Sequence, residues 1–296
     1  MSATHHEPAS TRSKRSPILV TGATGKVGRH VISELLRMGI AVRALTRNPG
    51  AANLPEGVEL VRGDLSDPAT FEASLQGVER VFLLWPLLTA EAAPGVVGAL
   101  AKHARRIVYL SSFGVRDELE VQADPITSFH AAIERQIERS GLEWTFLRPG
   151  GFASNTLWWA PQIRAEGVVR WPFAAAARSL IHERDIAAVA VRALTSDGHQ
   201  GAKYVLTGPQ AVTQAEQVRL IGEAIGRPAR FEEIPPEIMR QQLVAFMPPS
   251  VVDGILDYHA RCVKEPEQVS RTVEEVTGAP AHTFGEWAID HAADFR

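Results

Sequence analysis

The run Val20-Thr21-Gly22-Ala23-Thr24-Gly25-Lys26-Val27-Gly28 constrains this chain more than any other stretch. It is a glycine-rich turn between a short apolar run, Ile18-Leu19-Val20, and an amphipathic segment ending near Met38. A strand that turns sharply into a helix offers unpaired backbone N–H groups and the positive end of a helix dipole to a phosphate. Gly22 is expected to make the tight turn, Gly25 to let the backbone approach a pyrophosphate, and Gly28 to let the helix pack close to the sheet. Glycines also gather in ordinary loops, so the spacing needs its context. Val27, Val31, Ile32, Leu35 and Leu36 fall on one helical face. Gly39 stands where a helix C′ residue belongs, and a second strand follows at 40–46. This is a βαβ opening, and residues Gly22, Ala23, Thr24, Gly25, Lys26, Val27 and Gly28 are its candidate cofactor-binding residues.

The second strand indicates which dinucleotide. A chain selective for NAD places Asp or Glu about 20 residues after the glycines, against the ribose 2′-hydroxyl. No acidic residue occurs between Glu34 and Glu56; Arg47 stands there instead, with Arg43 earlier on the same strand. A guanidinium suits the 2′-phosphate of NADP, where a carboxylate would repel it. Lys26 adds positive charge in the turn. The alternative is that Arg47 is only a solvent-facing strand end. NADP is expected over NAD.

A third strand at 58–61 closes with Arg62-Gly63-Asp64-Leu65. Asp64, with Leu65 beside it, is placed to accept from an adenine amino group or to act as a turn residue. Asp67-Pro68 reads as the cap of the next helix, 69–76. The all-apolar run 81–84, followed by Trp85 and Pro86, suits a central parallel strand. Ligands bind beyond the carboxyl ends of such strands, so Leu84, Trp85 and Pro86 should lie near the cofactor. Next come a helix at 91–104 and a fifth strand at 106–110 ending in Ser111-Ser112. A helix at 125–140 capped by Asp124 and a sixth strand at 142–147 follow, the strand running on into Arg148-Pro149-Gly150-Gly151-Phe152. Strands alternating with helices predict an α/β fold with a doubly wound parallel sheet of about seven strands.

From Phe152 to Ala177 the pattern becomes irregular and aromatic, with Trp158, Trp159, Trp171 and Phe173, either a cover over substrate or core packing. A helix at 186–194 and a last strand at 203–206 complete the sheet. Thr213-Gln214-Ala215-Glu216 reads as a capping box, and the chain beyond Gly226 as mostly helical with proline breaks. The expected division is a disordered tail over 1–15, a nucleotide-binding unit over 16–150 with 183–207, and a smaller, mostly helical substrate-covering region over 151–182 with 208–296.

A net charge of −3 over 296 residues gives no overall basic field for nucleic acid. The single cysteine, Cys262, excludes an internal disulfide and suits a reducing compartment. No run of 18 apolar residues predicts a membrane span, and the polar first 15 residues lack the apolar stretch of a signal peptide. A cytoplasmic enzyme is expected, monomer or homodimer, without a metal site.

The chain resembles the short-chain dehydrogenase/reductase superfamily in its atypical, NmrA-like branch. The motifs are Thr21-Gly22-Ala23-Thr24-Gly25-x-x-Gly28, Arg47-Asn48, Gly63-Asp64, His130-x-x-x-Glu134, Ser140-Gly141-Leu142, Trp144-Thr145-Phe146-Leu147-Arg148 and Asp185-Ile186-Ala187. It is similar to the bacterial NAD(P)H:quinone oxidoreductase and triphenylmethane (azo) dye reductase group, over residues 17–296. The resemblance implies a Rossmann sheet binding NADP(H) through the turn, Arg47, the end of the fourth strand and the segment after Leu147. Ser111, Pro149, Gly150 and Phe152 join the candidate cofactor residues on that basis.

Ordinary members of that superfamily carry a Tyr-x-x-x-Lys pair on the helix after the fifth strand, where i, i+4 spacing puts both on one face. Here Tyr109 is on a strand, Tyr204 and Tyr258 are far along the chain, and the matching positions hold His130 and Glu134. A carboxylate raises the pKa of a neighbouring histidine, whereas the first turns of a helix disfavour imidazolium. His130 is therefore either a proton donor or a helix-surface histidine bonded to Glu134. Ser111 or Ser112 either contacts a cofactor or substrate oxygen or closes the strand end. His130 and Ser112 are the candidate catalytic residues. Without a strong acid, reduction of a simple ketone is difficult, because an unprotected alkoxide must form. Quinones, enones, azo compounds and cationic dyes delocalise the charge. The expected function is hydride transfer from NADPH to a conjugated or aromatic small molecule. The alternatives are an NADP(H)-sensing regulatory protein and a non-redox enzyme that retains the dinucleotide.

Overall fold

A computed structural model describes residues 16–296; the tail expected over 1–15 lies outside the described residues. In chain order the first half runs β1 (Ile18–Val20), α1 (Lys26–Arg37), β2 (Val42–Thr46), β3 (Glu59–Arg62), α2 (Pro68–Ser74), β4 (Arg80–Leu84), α3 (Ala93–His103), β5 (Arg106–Leu110), α4 (Pro125–Glu138) and β6 (Glu143–Pro149). The second half begins with a 3-10 segment (Ala153–Trp159), then α5 (Ala160–Glu166), β7 (Val168–Trp171), β8 (Ala177–Arg178), α6 (Glu183–Thr195), β9 (Ala202–Leu206), β10 (Val212–Thr213) and α7 (Gln214–Ile225). It ends with β11 (Arg230–Glu233), α8 (Pro236–Leu243), α9 (Pro249–Lys264), α10 (Thr272–Thr277) and α11 (Phe284–Asp290).

The main sheet has seven strands in the order β3-β2-β1-β4-β5-β6-β9. Every pair in it is parallel. Strand residues alternate between its faces. Ile18, Val20, Phe82 and Val108 join one core with Val31 and Leu35 of α1 and Ile186 and Ala190 of α6. Leu19, Val81, Leu83, Ile107 and Phe146 join the other, with Phe71, Val96 and Ile133 from α2, α3 and α4. Burial on both faces is why the central strands read as unbroken apolar runs. Asp67 and Asp124 accept backbone N–H bonds at the starts of α2 and α4, as their positions before Pro68 and Pro125 predict. Gly39 closes α1 in the left-handed region at φ +69°.

The rest is more regular than its sequence. The stretch expected to be irregular contains the 3-10 segment, α5 and two strands. The chain beyond Gly226 contains β11, which pairs in parallel with β7, while β8 pairs antiparallel with β10. Trp159 and Trp171 are buried in a third core with Ile221, Trp287 and Phe295, so they pack the fold; only Trp158 of that pair of indoles at 158–159 is exposed. Val273 of α10 crosses back to the first core beside α6, so the C-terminal stretch also braces the main sheet. The capping box expected at Thr213 is half formed: Thr213 accepts from the Glu216 N–H, but the Glu216 carboxylate turns to Arg219. A complete box stands at Thr283 and Glu286. No helix among the described residues is long and apolar enough to cross a membrane.

Candidate active site

The strand order reverses between β1 and β4, and the crevice beyond their carboxyl ends is where a doubly wound sheet takes its ligand. Thr21 ties the two strands together there: its hydroxyl accepts from the Leu84 N–H at 2.7 Å and donates to the Leu84 carbonyl at 2.9 Å. The glycine turn crosses this seam. A Cβ on Gly28 would lie 2.2 Å from the Gly22 carbonyl oxygen, so close packing of α1 requires glycine. Gly22 has φ +60°, and a Cβ there would press on Leu84. Gly25 is exposed and forms the N-cap of α1, with no side-chain cap and no acidic residue in the first turn. The leading N–H groups of the helix are thus left for an anion. Ala23 and Val27 are buried beneath the turn, Thr24 is exposed, and Lys26 Nζ donates to the Ser154 carbonyl at 3.0 Å. Lys26 therefore pins the segment after β6 over the turn.

Arg47 is exposed just beyond β2 and makes no hydrogen bond or ion pair with the described residues. Arg43 is not available alongside it: its guanidinium donates to the carbonyls of Ser74 and Gln76 and pairs with Glu59. Asp64 Oδ1 accepts from the Ser66 N–H at 2.9 Å and the Ser66 hydroxyl at 2.8 Å. These bonds, opposed by slight burial and helped by nearby Arg47, hold its carboxyl below the usual range. The Leu65 side chain belongs to the core. So does the Trp85 indole, whose N–H is spent on the Thr89 carbonyl, leaving Leu84 half-buried and Pro86 exposed at the strand end. Pro149 is buried, Gly150 donates to the Leu206 carbonyl, and Phe152 is half-buried beside Ile181. Two buried hydroxyls, Ser111 Oγ after β5 and Ser154 Oγ beside Lys26, have no partner among the described residues. Unspent buried polar atoms call for a ligand, and here they sit with a phosphate-compatible turn and a free guanidinium. The residues fit NADP(H).

At the other end, His130 is not bonded to Glu134, which removes one of the two readings of that motif. Glu134 is buried and takes two bonds from Arg148, at 3.0 and 2.5 Å. Arg148 also donates to Asp117, whose carboxyl is held at about 2 chiefly by that bond. His130 Nδ1 instead lies 2.6 Å from the hydroxyl of Tyr109. Tyr109 is fully buried, and burial together with Glu134 raises its pKa well above the ordinary value, so it is a neutral phenol. With no other polar partner, its O–H donates to Nδ1, which places the imidazole proton on Nε2. Burial, only partly opposed by Asp124, lowers His130 to about 4. Desolvation therefore decides the sign that sequence left open: near neutral pH His130 is a neutral donor through Nε2–H. Ser112 is half-buried and accepts weakly from the Gly114 N–H at 3.4 Å. The Tyr109–His130 bond has no sequence signal; the partners lie on a strand and a helix 21 residues apart.

Two hollows of about 300 and 450 Å³ border α7 and contain none of these residues.

The sequence model of the NmrA-like family matches residues 14–286. The chain is 41% identical over 281 residues to a (4-alkanoyl-5-oxo-2,5-dihydrofuran-3-yl)methyl phosphate reductase of Streptomyces griseus, covering 94% of this chain and 99% of that protein. It is 36% identical over 287 residues to an NAD(P)H azoreductase of Xenophilus azovorans, again covering 94% and 99%. Among solved structures, the NADPH-dependent quinone oxidoreductase QOR2 of Escherichia coli superposes with a TM-score of 0.74 at 25% identity, over 92% of this chain and 98% of that one.

Proposed function

The chain belongs to the NmrA-like family, and from that premise we propose that it is an NADPH-dependent reductase of conjugated, electron-poor small molecules. The observation that carries this reading is a phosphate-compatible turn in a chain whose candidate proton donor, His130, is a neutral imidazole and not an imidazolium near pH 7. The relatives agree in chemistry: one is named for an azo group, one for a quinone, and one for a ring double bond conjugated to carbonyls. Bound NADPH supplies the hydride. The turn and Arg47 hold its phosphates, and Ser111 and Ser154 offer hydroxyls to its polar atoms. His130 donates a hydrogen bond from Nε2 to the oxygen or nitrogen on which charge accumulates, and Ser112, just after β5, would offer a second hydroxyl. Tyr109 keeps the imidazole in that tautomer. The proton that completes the reduction comes from water, which a delocalised anion can await and a simple alkoxide cannot. The test is NADPH oxidation with a quinone, an azo dye, an unsaturated lactone and a plain ketone. Turnover of the conjugated acceptors and not the ketone is expected; tight NADPH binding with no turnover on any of them would remove the reductase reading.

Arg47→Asp should weaken NADPH by roughly 30- to 100-fold, about 2–3 kcal/mol, through loss of a charge-assisted bond and added repulsion. NADH, lacking the 2′-phosphate, should change little. Equal losses for both cofactors would separate Arg47 from that phosphate.

His130→Ala should lower kcat about 10- to 100-fold with little change in NADPH affinity. Because His130 is already neutral above about pH 5, kcat should be flat from about pH 5.5 to 8. An imidazolium acid would instead lose rate as pH rises through its pKa, and that profile would overturn the neutral-donor role.

A further inference from the structure

A buried cation stands behind the reaction end. Arg148 is on β6, and its side chain is 7% exposed. Its guanidinium makes four bonds to two carboxylates. Nε and Nη2 donate to the two oxygens of Glu134, at 3.0 and 2.5 Å. Nη1 and Nη2 donate to those of Asp117, at 3.1 and 2.7 Å. Asp117, in the loop between β5 and α4, is half exposed and has a second cation, Lys203 of β9, at 2.7 Å. Glu134, on α4, is sealed from water, and among the described residues Arg148 is the one cation paired with it.

Burying such a pair often adds little stability over apolar side chains of the same volume, because desolvation offsets the attraction. Its effect on the neighbouring groups is larger. Glu134 is four residues after His130 on α4, so both lie on one face of the helix. Its charge reaches the reaction end: after burial, Glu134 is the second cause that raises the Tyr109 phenol, the group 2.6 Å from His130 Nδ1. A buried carboxylate without a cation either takes up a proton or draws one onto a neighbouring imidazole. Of the other charged groups on α4 and the elements packed against it, Asp124 is exposed and accepts from the first N–H groups of the helix. Lys203 is paired with Asp117 and Glu138, and Lys102 and His103 of α3 turn to Glu72. The Phe129 ring covers the imidazole, 4.3 Å away between centroids.

We propose that Arg148 is a positioning residue for the reduction: by holding both oxygens of Glu134 it keeps that carboxylate off His130, so that the imidazole stays neutral, bonded to Tyr109, with its proton on Nε2. This rests on the reductase reading. Without Arg148, Glu134 and His130 together take one proton from water, and the imidazole becomes an imidazolium bonded to the carboxylate.

The experiment follows the His130 ring nitrogens by NMR in histidine-labelled chains, with a His130→Gln chain identifying their signals, beside the pH profile of kcat for a quinone. In the native chain the proton should be on Nε2 and the titration midpoint below about pH 5. In Arg148→Met the midpoint should rise above about pH 6, at least about a tenfold gain in proton affinity, and kcat should change with pH through that midpoint. Arg148→Met with Glu134→Gln removes both buried charges together; its midpoint should return to the native value and kcat should again be independent of pH. A merely structural arginine would leave these two variants alike. Arg148→Gln, uncharged but able to donate to Glu134, takes the place of Arg148→Met where that chain does not fold, with the same expected rise. A native midpoint in the chain that lacks only the arginine charge overturns the proposal, as does a raised midpoint that persists once Glu134 is gone. Failure to reduce any quinone overturns the reductase reading instead; the nitrogen titration needs no turnover and still decides the role of Arg148.

Discussion

Gly25→Val should abolish NADPH binding, a loss above about 100-fold, while leaving the melting temperature close to that of the native chain. Gly25 is exposed, and its backbone at φ −81°, ψ 178° is one that valine adopts readily. A Cβ there meets only the Gly22 carbonyl oxygen, at 3.1 Å. The fold takes the Cβ once the Gly22 carbonyl gives by a few tenths of an ångström, whereas the pyrophosphate and the side chain compete for the same space above the first N–H groups of α1. Gly28→Ala should behave differently. Its Cβ would fall 2.2 Å from the Gly22 oxygen and 2.8 Å from its carbon. Both are backbone atoms, so α1 and the turn must separate. A stability loss of about 2–3 kcal/mol is expected together with the loss of cofactor. Fluorescence titration with NADPH and a thermal melt on each variant distinguish the cases. Native affinity in Gly25→Val would mean that the cofactor does not sit on this turn.

The contrast between these glycines also marks what the sequence makes legible. The sheet was readable because its signals are local: apolar runs, a 3.6-residue stripe on α1, Asp before Pro at two caps. The turn and Arg47 were readable because their chemistry depends on spacing along one βαβ unit. The second half hid β7 and β11, since a pairing between 168–171 and 230–233 leaves no periodic mark in either short segment. Charge is visible in sequence while direction is not: Arg43, on the strand that leads to Arg47, turns its side chain to carbonyls at the end of α2. A His130–Glu134 bond is one of the two readings of that motif, because i, i+4 neighbours on a helix share a face. Buried Arg148 attracts the carboxylate more strongly than a neutral imidazole does, and Tyr109 is then left as the partner of His130.

The same holds for the docking of the C-terminal helix, where the largest pH effect on stability is expected. Glu183, at the start of α6, is buried and accepts from the Trp287 indole N–H at 3.1 Å and from His291 Nε2 at 2.8 Å. Asp294 holds the other ring nitrogen of His291 at 2.8 Å. Burial pushes the Glu183 carboxyl up, but the adjacent imidazoles of His182, at 3.5 Å, and His291, bonded to it at 2.8 Å, outweigh it and hold the group well below its ordinary value. His291 is raised, by its bond to Glu183 first, against burial and with help from Asp294. The raised histidine contributes stability that is complete below its unfolded pKa of about 6.5 and is lost as pH rises through the folded value. The depressed carboxylate contributes above about 4.5 and is lost as pH falls through its folded value. Docking should therefore be tightest between about pH 4.5 and 6.5, with the melting temperature declining on the alkaline side. Glu183→Ala leaves a half-buried imidazole and a buried indole N–H unpaired and should cost about 3 kcal/mol, roughly 5 °C at this chain length. It should also flatten the alkaline slope. Glu216→Gln, which breaks an exposed pair with Arg219, should change the melting temperature by less than about 2 °C. The effect should reach the cofactor. Ile181, two residues before Glu183, pairs through its N–H with the Gly151 carbonyl and through its carbonyl with the Ala153 N–H. That segment is the one Lys26 pins over the glycine turn. Loosening α11 should thus raise the NADPH dissociation constant severalfold above pH 8 in the native chain, and at all pH values in Glu183→Ala. A melting temperature that is flat across this range in the native chain would show that His291 does not latch the C-terminal helix.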